Sequence, residues 1–175
     1  MQASTELIYI NNANNNVRYA LGTKGKNTLF CLGINPSTAT PENPDPTILK
    51  VESIAKYNGY DSFVMLNIYP KRDPHIDALD KNLYDDLHTE NLSVITNMLA
   101  PYPKLDMWVA FGDLIYERPY LPECLKDIYS RLSEHKITWL CTGLNKSGTP
   151  KHPLYQAKTA RLIHFDMDSY IKTLL

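Results

Sequence analysis

Four runs of apolar residues dominate the pattern of the chain, at positions 28–34, 63–66, 107–111 and 137–141. Within each run, hydrophobic residues follow one another with few polar positions between them, which is typical of strands covered by helices on both faces. Strict alternation of polar and apolar residues, the mark of a half-exposed strand, is lacking in these runs. The pattern therefore predicts a mostly parallel, four-stranded sheet at the centre of the molecule.

Amphipathic segments lie between the apolar runs and predict helices. One follows Thr47, a candidate N-cap, and continues at helical spacing up to Gly59. Two more are predicted over 79–99 and 121–132. Strands that alternate with helices give an α/β fold, here a three-layer α/β/α sandwich around the four-stranded sheet. Right-handed crossovers bring the carboxyl ends of parallel strands to one edge, where open sheets of this kind bind ligands.

The segment before the first central strand predicts a β-hairpin, with strands at 7–10 and 17–21. We expect one domain over 1–175, in which residues 1–27 form an N-terminal hairpin extension. The glycine-rich turn after the hairpin is not a phosphate-binding P-loop. Walker spacing requires Gly and Ser or Thr where Ala20 and Asn27 stand, and the turn precedes a strand instead of following one.

Composition limits the range of partners. The chain has 175 residues, of which 43% are hydrophobic, and a formal net charge of −1. It is long enough for one soluble domain with a sizeable core. With so little net charge, binding to a polyanion would need a local basic patch. The segment 135–165 provides a candidate, because it holds five lysines and arginines and no carboxylate.

The cysteine and histidine patterns point away from disulfides and metal sites. Cys31, Cys124 and Cys141 have no CxxC spacing, and no signal-like segment precedes them, so we expect a reduced, cytoplasmic protein. No apolar stretch approaches the roughly 20 residues that span a bilayer, so we expect no membrane partner. The five histidines show no ligand spacing with cysteines or paired carboxylates, and we expect neither a metal nor a cofactor.

Four short motifs follow the predicted central strands. They are Gly-Ile-Asn-Pro-Ser at 33–37, Asn67, Ala-Phe-Gly at 110–112 and Lys-His-Pro-Leu-Tyr at 151–155. Each motif alone is compatible with an ordinary turn or a surface loop. Because the topology brings all four to one sheet edge, together they favour a pocket for a nucleobase or nucleotide.

The order of these motifs resembles the uracil-DNA glycosylase superfamily. In that family the first strand ends in a water-activating motif, which begins Gly-Ile-Asn-Pro in the thymine/uracil mismatch branch. The second strand ends in an asparagine that reads the base, and a late loop carries His-Pro. More narrowly, the runs at 35–39, 45–47 and 151–155 with Asn67 and Pro70 are similar to a bacterial and phage family of unknown function grouped with these glycosylases.

The resemblance, which covers 28–161, implies roles for three residues. Asn35 would hold a water through its side-chain carbonyl, and a neutral His152 would donate a hydrogen bond to the departing base as negative charge develops there. Asn67 would pair with the acceptor and donor of a uracil-like ring. An amide cannot accept a proton at neutral pH, so catalysis through Asn35 would be slow.

The remaining expected site residues fall into four groups, which contact the base, stack on it, hold phosphate or enter the base stack. We expect base contacts from Gly33, Ile34, Pro36, Ser37 and Gly112, stacking from one of Tyr69, Phe111 and Tyr155, phosphate contacts from Lys146, Ser147, Thr149 and Lys151, and a wedge from Leu154.

The sequence departs from the glycosylase pattern in two places. No carboxylate stands at the water-activating position, and Pro-Leu follows His152 where Pro-Ser is commonest. Three functions therefore stay open: an N-glycosidase acting on DNA or a nucleotide, a binding or sequestering protein for a nucleotide or nucleotide-derived signal, and a protein-interaction module. Fold alone does not decide among them.

Overall fold

The computed structural model of the chain describes residues 5–174, and it shows an α/β fold with four α-helices on one mixed seven-stranded sheet. Residues 1–4 and 175, which the single-domain prediction includes, lie outside the described residues. The strands are β1 (Glu6–Asn11), β2 (Arg18–Lys24), β3 (Thr28–Gly33), β4 (Ser62–Asn67), β5 (Lys104–Val109), β6 (Lys136–Cys141) and β7 (Ile163–His164). The helices are α1 (Pro46–Tyr57), α2 (Asp85–Leu99), α3 (Tyr120–Arg131) and α4 (Met167–Thr173). Short 3-10 helices lie at Ile76–Ala78, Gly112–Tyr116 and Pro153–Tyr155.

The strand order is β1-β2-β4-β3-β5-β6-β7. The four central strands, β4, β3, β5 and β6, pair in parallel. The sheet is wider than the predicted four strands, because β2 pairs antiparallel with β4 and β7 pairs antiparallel with β6. The N-terminal hairpin is thus part of the sheet. The chain leaves β3 for β4 on one side and reaches β5 on the other, and ligands bind at such a switch point in open α/β sheets.

Side chains of the central strands point alternately into two hydrophobic cores. In β3, Leu29 and Cys31 face the core that includes α1, whereas Phe30 and Leu32 face the core shared with α2, α3 and α4. The sheet is therefore the middle layer of three. Burial on both faces explains why the central strands read as continuous apolar runs.

Helix α1 begins two residues earlier than a Thr47 cap would allow. The side chain of Asp45 caps the helix, and its Oδ1 accepts a hydrogen bond from the Ile48 N–H at 2.9 Å. Pro46 occupies the first helical turn, where its missing N–H costs nothing and its fixed φ suits a helix. The predicted cap at Thr47 is wrong because the acid before the proline fills that role.

Helix α2 begins at Asp85, whereas the sequence predicted a start at residue 79. The chain between these points is held in a non-helical path by the guanidinium of Arg118. Its Nε donates to the backbone carbonyls of Leu79 and Asp80 at 3.1 and 3.2 Å. A long-range contact of this kind outweighs the helical spacing of the apolar residues.

All three cysteines are unpaired and buried. Burial raises the pKa of the Cys31 thiol far above its usual range, so Cys31 behaves as a small apolar core residue. Within residues 5–174, none of the helices has the length and apolar character needed to cross a membrane.

Candidate functional site

A cavity of about 880 Å³ opens at the carboxyl ends of the central strands. Its volume falls within the range of about 300–1,000 Å³ typical of small-molecule sites. Gly33 at the end of β3, Asn67 at the end of β4 and Gly112 just after β5 contribute to its wall, as does the late loop through His152. The structure therefore brings residues from all four strand-end motifs to one cavity.

Asn67 has an unusual environment for a buried amide. Its side chain is 0% exposed and lines the cavity, yet neither Oδ1 nor Nδ2 has a hydrogen-bond partner within residues 5–174. The backbone carbonyl of Asn67 is fixed by the side chain of Asn91, whose Nδ2 donates to it at 2.9 Å. Leaving a buried polar group unpaired costs about 1–3 kcal/mol. The Asn67 amide therefore keeps its donors and its acceptor unused, buried at the wall of the cavity.

Gly33 leaves room for the side chains of Met65 and Asn67. A Cβ atom at this position would lie 2.6 Å from Cε of Met65 and 3.4 Å from Oδ1 of Asn67. Both of those residues also line the cavity. The first glycine of the 33–37 motif thus has a steric role at the cavity floor.

Asn35 presents its side-chain oxygen for further bonding. Its Nδ2 donates to the backbone carbonyls of Asp73 at 2.9 Å and Lys71 at 3.3 Å, which fixes the amide plane. Oδ1 makes no hydrogen bond to a described residue, and it is not fully buried. The residue lines the cavity, so a hydrogen-bond acceptor is held ready for a water or ligand donor.

The ring of His152 is oriented by the start of the 3-10 helix Pro153–Tyr155. Its Nδ1 accepts a hydrogen bond from the Leu154 N–H at 3.2 Å, so the proton of the neutral ring is on Nε2. Burial lowers the pKa of His152, and the nearby Asp45 carboxylate opposes part of that effect. Around pH 7 the ring is neutral and offers its Nε2–H as a donor.

Gly112 holds the His152 loop against the end of β5. It adopts the left-handed conformation, with φ of +62°, and a Cβ here would be 3.3 Å from Cβ of His152. Its N–H donates to the carbonyl of Pro150 at 2.9 Å. The glycine is required both for its backbone angle and for the close approach of the loop.

Three carboxylates that the sequence interpretation did not include also line the cavity, those of Asp45, Asp73 and Asp113. Hydrogen bonds from the hydroxyls of Ser147 and Thr149 lower the pKa of Asp113, so it is ionised. Asp45 lies within the 45–47 motif, which was the available signal for its position. Among the described residues, no group of three or more His, Cys, Asp or Glu side chains is placed to hold a metal ion.

Of the three aromatic candidates for stacking, the structure places one at the cavity. Tyr155 lines it and is 84% exposed. Tyr69 and Phe111 are fully buried, where they pack against the rings of Tyr120 and Tyr170. Burial in the core leaves neither ring a face for a base.

The other residues expected to contact the ligand also divide into those that line the cavity and those that do not. Among the base-contacting candidates, Ile34 and Ser37 line the cavity, whereas Pro36 is buried and does not. Lys151 and Leu154 also line it.

The remaining phosphate candidates lie outside the cavity lining. Lys146 is exposed, and the hydroxyls of Ser147 and Thr149 donate to Oδ1 of Asp113, the latter at 2.6 Å. A phosphate at those hydroxyls would face an ionised carboxylate, so the geometry gives the predicted role of Ser147 and Thr149 no support.

Arg18 is a further cavity residue that the sequence interpretation missed. It is the first residue of β2, and the hairpin was expected to lie outside the central sheet. A lone arginine in a hairpin strand carries no signal of burial, and only the pairing of β2 with β4 brings it to this edge.

Comparisons with known proteins give a family and no closer relative. Neither the curated proteins nor the solved structures yield a match, so the resemblance to uracil-DNA glycosylases stays a prediction. One protein family matches residues 18–154, a segment that includes Arg18, Asn35, Asn67 and His152. Because the match covers well over half of the 175 residues, the chain belongs to the family described as "Protein of unknown function (DUF1643)".

Proposed function

We propose that this protein recognises a nucleobase or nucleotide in the cavity at the carboxyl ends of its central strands. The observation that carries the proposal is the buried, unpaired side-chain amide of Asn67. A planar donor and acceptor side by side match the edge of a base such as uracil, where N3–H and O4 are adjacent. A base in this position would supply the two hydrogen bonds that the amide lacks.

The groups around the amide also suit slow hydrolysis of an N-glycosidic bond. Cleavage places positive charge on the sugar and negative charge on the departing base. The free Oδ1 of Asn35 would orient a water, and Nε2–H of His152 would stabilise the base anion. In other enzymes, removing a hydrogen-bond donor that stabilises such an anion raises the activation free energy by on the order of 3 kcal/mol. The reaction would be slow because an amide orients water without deprotonating it.

Binding without turnover is the second candidate, and the charge of the cavity favours it for small ligands. The carboxylates of Asp45, Asp73 and Asp113 line the same cavity, and the chain has a net charge of −1. Both features oppose the approach of a DNA duplex. A free nucleotide or a nucleotide-derived signal meets less repulsion than a polyanion.

One set of assays separates these possibilities. Base release is measured from uracil-containing, thymine-mismatch and modified-base oligonucleotides, single- and double-stranded, and from free nucleotides. Asn67→Ala, Asn35→Ala and His152→Asn are compared with Asn97→Ala, which removes an exposed amide from α2. For an N-glycosidase, the first three variants lose release and Asn97→Ala retains it.

The same samples test the second candidate by calorimetry. Stoichiometric binding of a nucleotide that is recovered unchanged, and that is lost in Asn67→Ala, assigns a binding protein. The proposal fails if the folded wild-type protein neither releases a base nor binds any of these molecules.

A further inference from the structure

The side chain of Arg18 is buried at the cavity wall with few bonds. It is 2% exposed and lines the cavity. Nη1 donates to the carbonyl of Ala39 at 3.0 Å, and Nε is buried without a partner among residues 5–174. Nη2 makes no hydrogen bond to a described residue either, but unlike Nε it is not fully buried. Two of the three guanidinium nitrogens therefore make no hydrogen bond to a described residue.

Arg18 also has no ion-pair partner among the described residues. The ion pairs within 4.0 Å among the described residues are Lys71–Asp80, His88–Asp127 and Lys126–Glu123, and Arg18 is in none of them. Burial and the neighbouring Arg72 lower the pKa of Arg18 to about 10, which leaves it charged near neutral pH. A buried charge without an ion-pair partner is costly.

Asp45, whose carboxylate also lines the cavity, is not such a partner. Asp45 raises the pKa of Arg18 by its charge, but it forms no ion pair with it, and its Oδ1 caps helix α1. Asp45 therefore reduces the cost of the buried cation without occupying its donors.

Arg72 provides an internal comparison. Its Nη1 and Nη2 donate to the carbonyls of Ser37 and Ala39 and to the hydroxyl of Tyr9, at 2.6 to 3.2 Å. Arg72 does not line the cavity, whereas Arg18 does. One arginine thus fixes the loop at 37–39, and the other shares only a single contact with that loop.

We propose that Arg18 binds the phosphate group of a nucleotide whose base pairs with Asn67. A guanidinium matches phosphate oxygens with two parallel donors, and in a buried site such a pair is strong. This inference rests on the proposed function, because it takes the cavity to hold a nucleoside. It narrows the ligand class of the proposed function from a nucleobase or a nucleotide to a nucleotide, in which a phosphate is recognised together with the base.

The test is a calorimetric comparison of each common nucleoside with its 5′-monophosphate, with inorganic phosphate as a separate probe. In the wild-type protein, the phosphate is expected to strengthen binding of the preferred nucleoside by about 10- to 100-fold. Arg18→Gln is expected to abolish this gain, so that the nucleoside and its monophosphate bind this variant with similar affinity. Arg18→Lys keeps the charge and should retain part of the gain, so it decides the case if Arg18→Gln fails to fold.

Arg72→Gln is the matched control, since it removes the other guanidinium bound to the Ala39 carbonyl. The inference is overturned if nucleoside and monophosphate bind equally, or if Arg72→Gln removes the gain as fully as Arg18→Gln. It is also overturned if no probe binds. Arg18-dependent binding of inorganic phosphate without binding of any nucleoside would support the anion site and reject the proposed function.

A short single-stranded oligonucleotide distinguishes the source of the phosphate. Tighter Arg18-dependent binding of the oligonucleotide than of the monophosphate assigns the group to a nucleic-acid strand. The reverse order assigns it to a free nucleotide, and either order supports the role of Arg18.

Discussion

Asn67 and Asn91 are two fully buried asparagines whose side chains differ in bonding. Nδ2 of Asn91 donates to the carbonyls of Asn67 and Ile68, whereas the Asn67 amide has no partner within residues 5–174. We expect Asn67→Leu to raise the free energy of unfolding by about 1 kcal/mol and Asn91→Leu to lower it by about 1–3 kcal/mol. Urea denaturation measures both. If Asn67→Leu lost more stability than Asn91→Leu, the side-chain amide of Asn67 could not be unpaired in the folded protein.

His152 makes stability depend on pH in a definite direction. Its pKa is lowered in the folded protein from the ordinary value of 6.5, so below that pH the unfolded chain takes up the proton more readily. The contribution to stability is complete above pH 6.5 and is lost as the pH falls through the folded pKa. His152→Asn keeps an acceptor for the Leu154 N–H but does not titrate.

Thermal unfolding across this range tests the direction. His152→Asn is expected to match the wild-type protein above pH 6.5 and to lose less stability below it. Parallel profiles at all pH values would show that the ring is not buried in its neutral form.

At the level of elements, Gly33 at the end of β3 and Gly112 just after β5 have different structural roles. In Gly33→Ala the new methyl group meets the flexible end of Met65, which can shift into the cavity. We expect a stability change of about 1 kcal/mol or less and a loss of about tenfold or more in nucleotide affinity. Calorimetry with the preferred monophosphate gives the affinity, and thermal unfolding gives the stability.

Gly112→Ala should show the opposite balance. Gly112 is in the left-handed conformation, which costs a residue with a Cβ about 1–2 kcal/mol. The free energy of unfolding is therefore expected to fall more than in Gly33→Ala. Equal destabilisation by the two substitutions would mean that Met65 cannot move and that the floor of the cavity is rigid.

The elements that the sequence predicted well are those whose pattern is local. The central strands read as apolar runs because both faces are covered. The start of α2 was missed because Arg118 holds the preceding carbonyls, and the spacing of apolar residues does not record that contact. Strand β7 has two residues, too few for any pattern, and it forms only by pairing with β6.

The same distinction applies to the site. Asn67 is the last residue of β4, and Asn35 and His152 lie in motifs that come after central strands, so their arrival at one edge could be deduced from topology. Arg18 and Asp73 reach the cavity through contacts between distant segments, such as the bond from Arg18 N–H to the Pro70 carbonyl. No local pattern encodes those contacts.

At the scale of the whole molecule, charge limits how a nucleic acid can bind. The cavity holds Arg18 and Lys151 against three carboxylates, and the chain has a net charge of −1. We expect binding of a single-stranded oligonucleotide to weaken with salt at a logarithmic slope of only about −1 to −2, because each phosphate contact on a single strand contributes about −0.7 to the slope and Arg18 and Lys151 could make only a few such contacts. Fluorescence anisotropy at several salt concentrations measures the slope. A slope near −5 would instead indicate an extended track along the basic segment at 135–165.

The position of Arg18 in β2 sets a limit on how far this protein can be dissected. Residues 28–154 contain the four parallel strands and the loops at their ends, and they look like a self-sufficient unit. A fragment beginning at residue 28 would nevertheless lack Arg18, the lining residue that β2 contributes to the cavity. The hairpin thus contributes to the cavity as well as to the sheet. Any minimal fragment, chimera or permuted chain must include β2 to keep Arg18 in the cavity wall.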